Sequence, residues 1–557
     1  MDVRTISDRL SVGPQLTPSD MAEVARLGFR AVICNRPDGE GPDQPTFEEV
    51  AAAAADYGLE ARYLPIVAGK VSDEDATAFD AALTGLPGPV LAYCRTGTRS
   101  TTLWALSQAD RLDLPRILRT AKDAGYDMGG VVRRIANGGK TPTDAPDACF
   151  EVVIVGGGAA GIAVAASLRK RQPRAQIAII DPAETHYYQP GWTMVGGGIF
   201  DAKDTVRTMG SLIPAGVRWI KAAVAAFEPD ADAVIVDGCR VIRYEHLIVC
   251  PGLKLDWHAI DGLVETLGRN GVTSNYRYDL APYTWELVRG LDRGRAIFTQ
   301  PQMPIKCAGA PQKAMYLSAD AWRRRGVLSD IDITFATAGP SLFGVKDYVP
   351  ALMEYVDRYG ATLDFHHDLI AVDGPARVAT FQVKAPNAAP TTVELEFDML
   401  HVCPPQTAPD FIRVSPLVDE SGWIDVDQAT LRHRTHENIW ALGDVTNTPN
   451  AKTAAAARVQ APVVATNVSA DMNGRAPTAQ YSGYGSCPLT VERGKIVLAE
   501  FGYGGTLMPT FPKAIIDGTR PSRAAWLLKE KILPPMYWQG MLKGREWLVQ
   551  PETIDAE

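Results

Sequence analysis

Three cysteines in this chain stand where a thiol could do chemistry rather than fill a core. Cys94 opens the run Cys94-Arg95-Thr96-Gly97-Thr98-Arg99-Ser100, directly after the apolar segment 89–93 and ahead of a helical segment at 101–109. Strand, glycine-bearing loop and helix in that order make an anion cradle, because loop N–H groups and the helix N-terminus converge on one point. A cysteine at its mouth would face dipoles that favour a thiolate. Arg99 would add a two-pronged grip on an oxyanion. Cys307 lies in Pro304-Ile305-Lys306-Cys307-Ala308-Gly309-Ala310-Pro311-Gln312-Lys313, between a lysine and a turn of small residues. Lys306 and Lys313 would stabilise a thiolate there and attract an anionic nucleophile. Cys487 stands in Tyr484-Gly485-Ser486-Cys487-Pro488-Leu489, so far from Cys307 in sequence that only a folded domain could join them.

Between these sites the chain reads as dinucleotide-binding. The apolar strand Phe150-Glu151-Val152-Val153-Ile154-Val155 enters Gly156-Gly157-Gly158-Ala159-Ala160-Gly161, and a helix follows at 162–171. This is G-x-G-x-x-G in its required setting. Gly156 permits the tight turn, Gly158 lets a pyrophosphate approach, Gly161 lets helix meet strand, and Ala159 and Ala160 lie within the loop. A further strand at 176–180 ends at Asp181, about 20 residues past the last glycine, where a ribose hydroxyl partner belongs. Ile439-Trp440-Ala441-Leu442-Gly443-Asp444-Val445 is a short strand ending in Gly443-Asp444, with a helix from about Thr453. It resembles the second FAD motif of flavoproteins with two dinucleotide domains. That resemblance implies FAD, Asp444 on its ribityl or phosphate region, and a helix N-terminus facing the flavin pyrimidine. Gly252 and Lys452 join the flavin-binding candidates, and Lys346 could touch flavin or a substrate anion. A second nucleotide loop would follow the strand at 331–336. There Thr337-Ala338-Gly339-Pro340-Ser341-Leu342-Phe343-Gly344 keeps only two glycines, which disfavours a nicotinamide partner.

The segment from residue 1 to about 135 resembles the phosphatase-like domains of beta-lactamase hydrolase-like proteins, through Asn35-Arg36-Pro37-Asp38-Gly39-Glu40 and Tyr93-Cys94-Arg95-Thr96-Gly97-Thr98-Arg99-Ser100. Its Cys-x-x-Gly-x-Arg loop is one residue shorter than that of cysteine phosphatases. It is similar to the loop of rhodanese-type sulfurtransferases, whose cysteine carries a persulfide. The resemblance implies a phosphatase-like fold with sulfur-transfer chemistry. Asp38 or Arg36 would line the site or serve the turn.

The rest of the chain resembles the sulfide:quinone oxidoreductase family of mitochondria and many bacteria. The motifs are His186-Tyr187-Tyr188-Gln189-Pro190-Gly191-Trp192, Lys306-Cys307-Ala308-Gly309-Ala310-Pro311-Gln312-Lys313, Phe343-Gly344-Val345-Lys346, Gly443-Asp444-Val445-Thr446-Asn447 and Gly485-Ser486-Cys487-Pro488. That family implies a redox pair of Cys307 and Cys487. Hydrosulfide attacks their disulfide, or a sulfur-bridged form of it, Cys487 carries the persulfide, and Cys307 is the thiolate facing the flavin. Two electrons then pass through FAD to quinone, and a small thiol or sulfite takes the sulfur. Fusion in one chain suggests that Cys94 accepts or relays it. The competing reading is an FAD-dependent NAD(P)H disulfide or persulfide reductase fused to a cysteine phosphatase domain.

The expected architecture is α/β. A phosphatase-like domain at 1–140 and a linker at 141–148 precede two Rossmann-like domains of the FAD/NAD-linked reductase type at 149–510. An amphipathic helical tail occupies 511–557. In that tail Arg520 to Glu546 carries six lysines and arginines against two glutamates, interleaved with Trp526, Tyr537 and Trp538, and Pro534-Pro535 splits two helical runs. Basic and aromatic residues on short amphipathic helices suit a membrane-surface anchor, from which a lipid-soluble quinone is reached. A net charge of −9 over 557 residues argues against nucleic-acid binding. No ligand spacing marks a metal site, and no apolar run reaches the ~18–20 residues of a spanning helix. The expected location is cytoplasmic, peripheral on the cytoplasmic membrane face, with homo-oligomers possible.

Overall fold

The computed structural model describes every residue except 1, 42–43, 142–147, 239, 385, 387–388 and 555–557. The expected linker falls mainly on residues outside the described ones. The chain divides into two compact units. One takes Met1–Phe150 with Ile180–Pro182 and Ile220–Tyr244; the other takes Glu151–Ile179, Ala183–Trp219 and Glu245–Glu557.

In the first unit five strands lie in the order Arg4–Thr5, Leu10–Gly13, Val90–Tyr93, Ala31–Cys34, Glu60–Tyr63. Neighbours are parallel except for the first pair. Val90–Tyr93 is central and covered on both faces, so it reads as an unbroken apolar run rather than an alternating one. Val90 and Ala92 pack with Phe79, Leu103 and Ile117, whereas Leu91 and Tyr93 pack with Met21, Val24 and Val50. Each large side chain buried this way stabilises the sheet by roughly 1.5–3 kcal/mol. A strand held on both faces and both edges fixes its C-terminal end, from which Cys94 follows. The next helix, Thr98–Ser107, begins earlier than its sequence suggests. Gly97 caps it at φ 90°, a left-handed conformation that glycine adopts freely.

In the second unit, 151–155 runs between 177–179 and 245–249, and Leu247–Val249 pair in parallel with Ile439–Ala441. Cys250 N donates to Val155 O at 2.8 Å and Leu442 N to Val249 O at 3.2 Å, so the strand ends leading into both glycine motifs lie side by side. Helices Ala159–Arg171 and Ala454–Asp471 follow these strand ends and pack together.

A separate all-parallel sheet has the order Val272–Thr273, Met399–His401, Gly294–Gln300, Ile331–Thr337, Thr362–Phe365. Its βαβ run is Gly294–Gln300, helix Ala310–Arg325, Ile331–Thr337, helix Val349–Tyr359, Thr362–Phe365. The strand expected to open this unit, 331–336, is therefore its second. The first strand is Gly294–Gln300, and the loop after it, where a pyrophosphate loop would lie in a nucleotide-binding unit, contains Cys307.

The tail also departs from expectation. Pro534-Pro535 does not split it: helical backbone runs from Arg523–Leu527 through Leu528–Ile532, Leu533–Pro535 and Met536–Gly540 to Met541–Lys543. Leu533 N donates to Leu528 O across a widened, five-residue turn. Such π-type turns shift the carbonyls that a proline ring would strike and absorb the missing donors. Trp526, Lys529, Tyr537, Trp538, Met541 and Leu542 are buried, while Leu527 and Ile532 are exposed. Among the described residues no helix is long and apolar enough to cross a membrane.

Candidate active site

The helix Ala310–Arg325 begins just beyond Cys307, so its N-terminal dipole points toward the thiol. Cys307 itself has φ 50°, and its N–H donates to Lys452 O at 2.8 Å. Cys487 lies on strand Gly485–Glu492, in register with Ala499 of Lys495–Phe501. The two sulfurs are 3.8 Å apart. Both cysteines are free thiols, since an S–S bond is about 2.05 Å long. Gly309 makes the approach possible: a Cβ there would lie 2.6 Å from Cys487 Sγ and 2.3 Å from Leu489 Cδ2.

Lys313, one turn into the helix and 2% exposed, donates from Nζ to Cys307 Sγ at 3.1 Å. The hydrogen bond from Cys487 and the Lys313 ammonium together hold Cys307 well below the usual thiol range, against the cost of burial. Cys487, facing that thiolate, is pushed well above it. Burial opposes the charge on Lys313, but the thiolate outweighs it and raises the ammonium. The pair is therefore poised as one thiolate and one thiol.

A second buried ammonium comes from the tail. Lys529, 4% exposed, donates to Pro190 O at 3.2 Å. Burial and repulsion from Lys313 draw it down to about 8, with Cys307 and Cys487 pulling the other way. Sequence reasoning misses Lys529 because it reads as one more basic residue of an amphipathic segment; only its burial marks it out. Lys306 is half-buried. Its N–H donates to Gln406 Oε1 at 2.8 Å, its Nζ to Gln189 Oε1 at 2.7 Å, and burial lowers its pKa.

The glycine cradle fits a dinucleotide. A Cβ on Gly156 would meet Cys250 O at 2.6 Å, and one on Gly161 would meet Gly156 O at 1.8 Å, whereas Gly158 faces open space. Ala159 and Ala160 begin the helix that follows. Gly252 and Gly443 both have positive φ, 78° and 80°, and Gly252 also borders open space. Cys250 packs here, its thiol 3.6 Å from Gly156 O. Asp181 follows strand Ile177–Ile180. Lys452 Nζ donates to Asp444 O and Thr446 O, each at 2.8 Å, and lies 4.1 Å from the Trp423 ring. Burial pulls Lys452 down to about 8 and raises the Asp444 carboxyl. Lys346 is exposed on the turn Lys346–Tyr348.

In the first unit Gly97 N donates to Cys94 Sγ at 3.1 Å. Gly97 is required, since a Cβ would fall 2.0 Å from Tyr126 Oη. Arg99 forks onto Glu40, with Nη1 to Oε1 at 2.8 Å and Nη2 to Oε2 at 2.7 Å. Asp38 is occupied elsewhere: Oδ1 accepts from Phe47 N at 2.8 Å, holding the start of a helix. Sequence reasoning points to Asp38 as a lining residue; Glu40 is the carboxylate that reaches Arg99.

Residues 2–111 match the family model "Beta-lactamase hydrolase-like protein, phosphatase-like domain", and residues 150–300 match "Pyridine nucleotide-disulphide oxidoreductase". The mitochondrial sulfide:quinone oxidoreductase of Dictyostelium discoideum is 40% identical over 398 residues, covering 71% of this chain and 86% of that protein. The beta-lactamase hydrolase-like protein of Xylella fastidiosa (strain Temecula1) is 33% identical over 134 residues, covering 24% of this chain and 31% of that protein. The crystal structure of sulfide:quinone oxidoreductase from Aquifex aeolicus superposes with a TM-score of 0.59 at 18% identity, over 74% of this chain and 98% of that one, and shares the fold. With mixed α/β units, a dinucleotide cradle and this degree of identity to a near full-length relative, the chain belongs to the sulfide:quinone oxidoreductase family and carries a phosphatase-like domain at its N-terminus.

Proposed function

We propose that this chain oxidises sulfide to sulfane sulfur at Cys307 and Cys487 and passes the electrons through FAD to a quinone. The observation that carries the reading is two sulfurs 3.8 Å apart with an ammonium 3.1 Å from one of them. In the oxidised pair, HS⁻ attacks the Cys487 sulfur of the disulfide. A new S–S bond forms, the Cys307–Cys487 bond breaks, and Cys307 leaves as a thiolate that Lys313 stabilises. The Cys487 persulfide then gives its outer sulfur to a small thiol or sulfite, leaving a Cys487 thiol beside the Cys307 thiolate. Two S–S bonds in series span at most about 4.1 Å, so a single bridging sulfur also fits this gap. Gly156, Gly158, Gly161, Asp181, Gly252, Gly443, Asp444 and Lys452 would hold FAD, with Ala159 and Ala160 keeping its cradle narrow. Bound there, FAD supplies a two-electron acceptor that restores the disulfide and hands the pair to quinone. Lys306 and Lys529 concentrate HS⁻ near the sulfurs, and exposed Lys346 could serve the same anion farther out.

Exposed Leu527 and Ile532, 55% and 49% accessible on a tail otherwise packed down, support seating that face on a membrane surface. Cys94 and Arg99 support a relay in which a small persulfide R–S–SH transfers its outer sulfur to the Cys94 thiolate, releasing R–S⁻. The domain division follows the same lines: sulfur handling at 1–140, oxidation at 149–510, surface attachment at 511–557.

Anaerobic sulfide is expected to bleach the flavin and a short-chain quinone to restore it, followed by absorbance. Bleaching by NADPH instead would favour a nicotinamide-dependent disulfide reductase. Mass spectrometry is expected to find persulfide on Cys94 after turnover with a thiol acceptor. A Cys94→Ser chain that delivers sulfur to the acceptor as fast as native protein would remove the relay.

A further inference from the structure

The cradle around Cys94 contains a carboxylate where an oxyanion would be gripped. Arg99 uses both outer nitrogens on Glu40, at 2.8 and 2.7 Å, and Nη1 also donates to Ile66 O at 2.7 Å. Those are the nitrogens that a phosphate or sulfate would take in a fork. The carboxylate is held from its other side as well. Arg36 Nε donates to Glu40 Oε2 at 2.7 Å and its Nη1 to Gln15 Oε1 at 3.0 Å. A Cβ on Gly41 would come within 2.8 Å of Arg36 Nη2, so that guanidinium packs closely against the same loop. The Arg99 side chain is 10% exposed and that of Glu40 26%, which puts the carboxylate on the solvent side of the pair.

We propose that Glu40 is the specificity-determining residue of this site: it occupies the Arg99 fork and neutralises its charge, excluding tetrahedral oxydianions while admitting a sulfane sulfur to Cys94. A phosphate monoester needs a free, cationic fork; the outer sulfur of a small persulfide needs only the thiolate and its N–H partner. An incoming dianion would have to displace a carboxylate held by two arginines and would then face its negative charge. Glu40 is itself favoured as the anion: burial works against its charge, but Arg99 and Arg36 outweigh that and hold the carboxyl below its usual range.

The substrate class rests on the sulfur-relay reading above; the exclusion of phosphate does not, and its test is separate. Inorganic phosphate is titrated into the full FAD-loaded chain and binding is read by 31P NMR line width, with Cys94→Ser and Arg99→Met chains as references. Native protein is expected to broaden the line no more than the Arg99→Met chain. Glu40→Gln, which keeps the shape and removes the charge, is expected to bind phosphate at least tenfold more tightly than native. Glu40→Asp is expected to keep phosphate out. Arg99-dependent phosphate binding by native protein overturns the proposal without any variant having to fold. So does a Glu40→Gln chain of native melting temperature that binds phosphate no better. If Cys94 gains no persulfide from a small persulfide donor while phosphate stays excluded, the relay fails and the exclusion stands.

Discussion

Replacing Cys307 with serine lowers sulfide-dependent quinone reduction by on the order of 10³-fold or more, about 4 kcal/mol of lost transition-state stabilisation. A serine hydroxyl neither forms the disulfide that HS⁻ attacks nor leaves as an anion stabilised by Lys313. Its oxygen also sits in a shell built for a thiolate. The flavin stays bound and dithionite still reduces it, because the glycine cradle around Gly156 and Gly161 is unchanged. The Cys487→Ser chain falls by a similar factor, and the double variant is no slower than either single one, since the two sulfurs act as one unit. Steady-state kcat/KM for sulfide, measured beside the dithionite control, checks all three.

The second large effect is on the pH profile. Lys313 places its ammonium 3.1 Å from the Cys307 sulfur inside the protein. An opposite charge at that range moves a titrating group by about 1–3 pH units. Cys307 is held low, so its thiolate is present above the folded pKa and is lost as pH falls through it. Lys313→Met removes one of the two groups holding it there, and the acid limb of kcat/KM moves upward by about 1–2 units. At neutral pH the rate drops roughly 10–100-fold, by the relation of one pH unit to 1.36 kcal/mol. Raising the pH recovers most of it. Loss of folding would not be recovered that way, so the profile separates electrostatics from structural damage. The rate of single-turnover flavin bleaching by sulfide, from pH 5 to pH 9, is the measurement.

The parts of this molecule visible in its sequence are those governed by local sterics. Gly156 and Gly161 announce a dinucleotide loop because a Cβ at either position strikes backbone. The Cys94 loop is visible for the same reason, through Gly97 and its neighbour Tyr126. What the sequence hides depends on tertiary closure. Glu40 becomes a partner of Arg99 only when the loop after Ala31–Cys34 folds beside the Cys94 loop. Lys529 becomes a neighbour of the sulfurs only when the tail packs down. The second βαβ unit is misread because glycine spacing at 337–344 was the signal available, whereas strand order assigns the first position to Gly294–Gln300. Pro534-Pro535 misleads because a five-residue turn tolerates what a regular helical turn does not.

The inward-facing lysine of the tail has a practical consequence. A shortened protein ending before Ser522, made to ease purification, would lose more than a greasy surface. It would also lose the aromatic plug of Trp526 and Tyr537 and a cation next to the reacting atoms. Detergent or lipid cannot replace that cation, so such a trimmed enzyme should stay impaired even with a fully water-soluble electron acceptor.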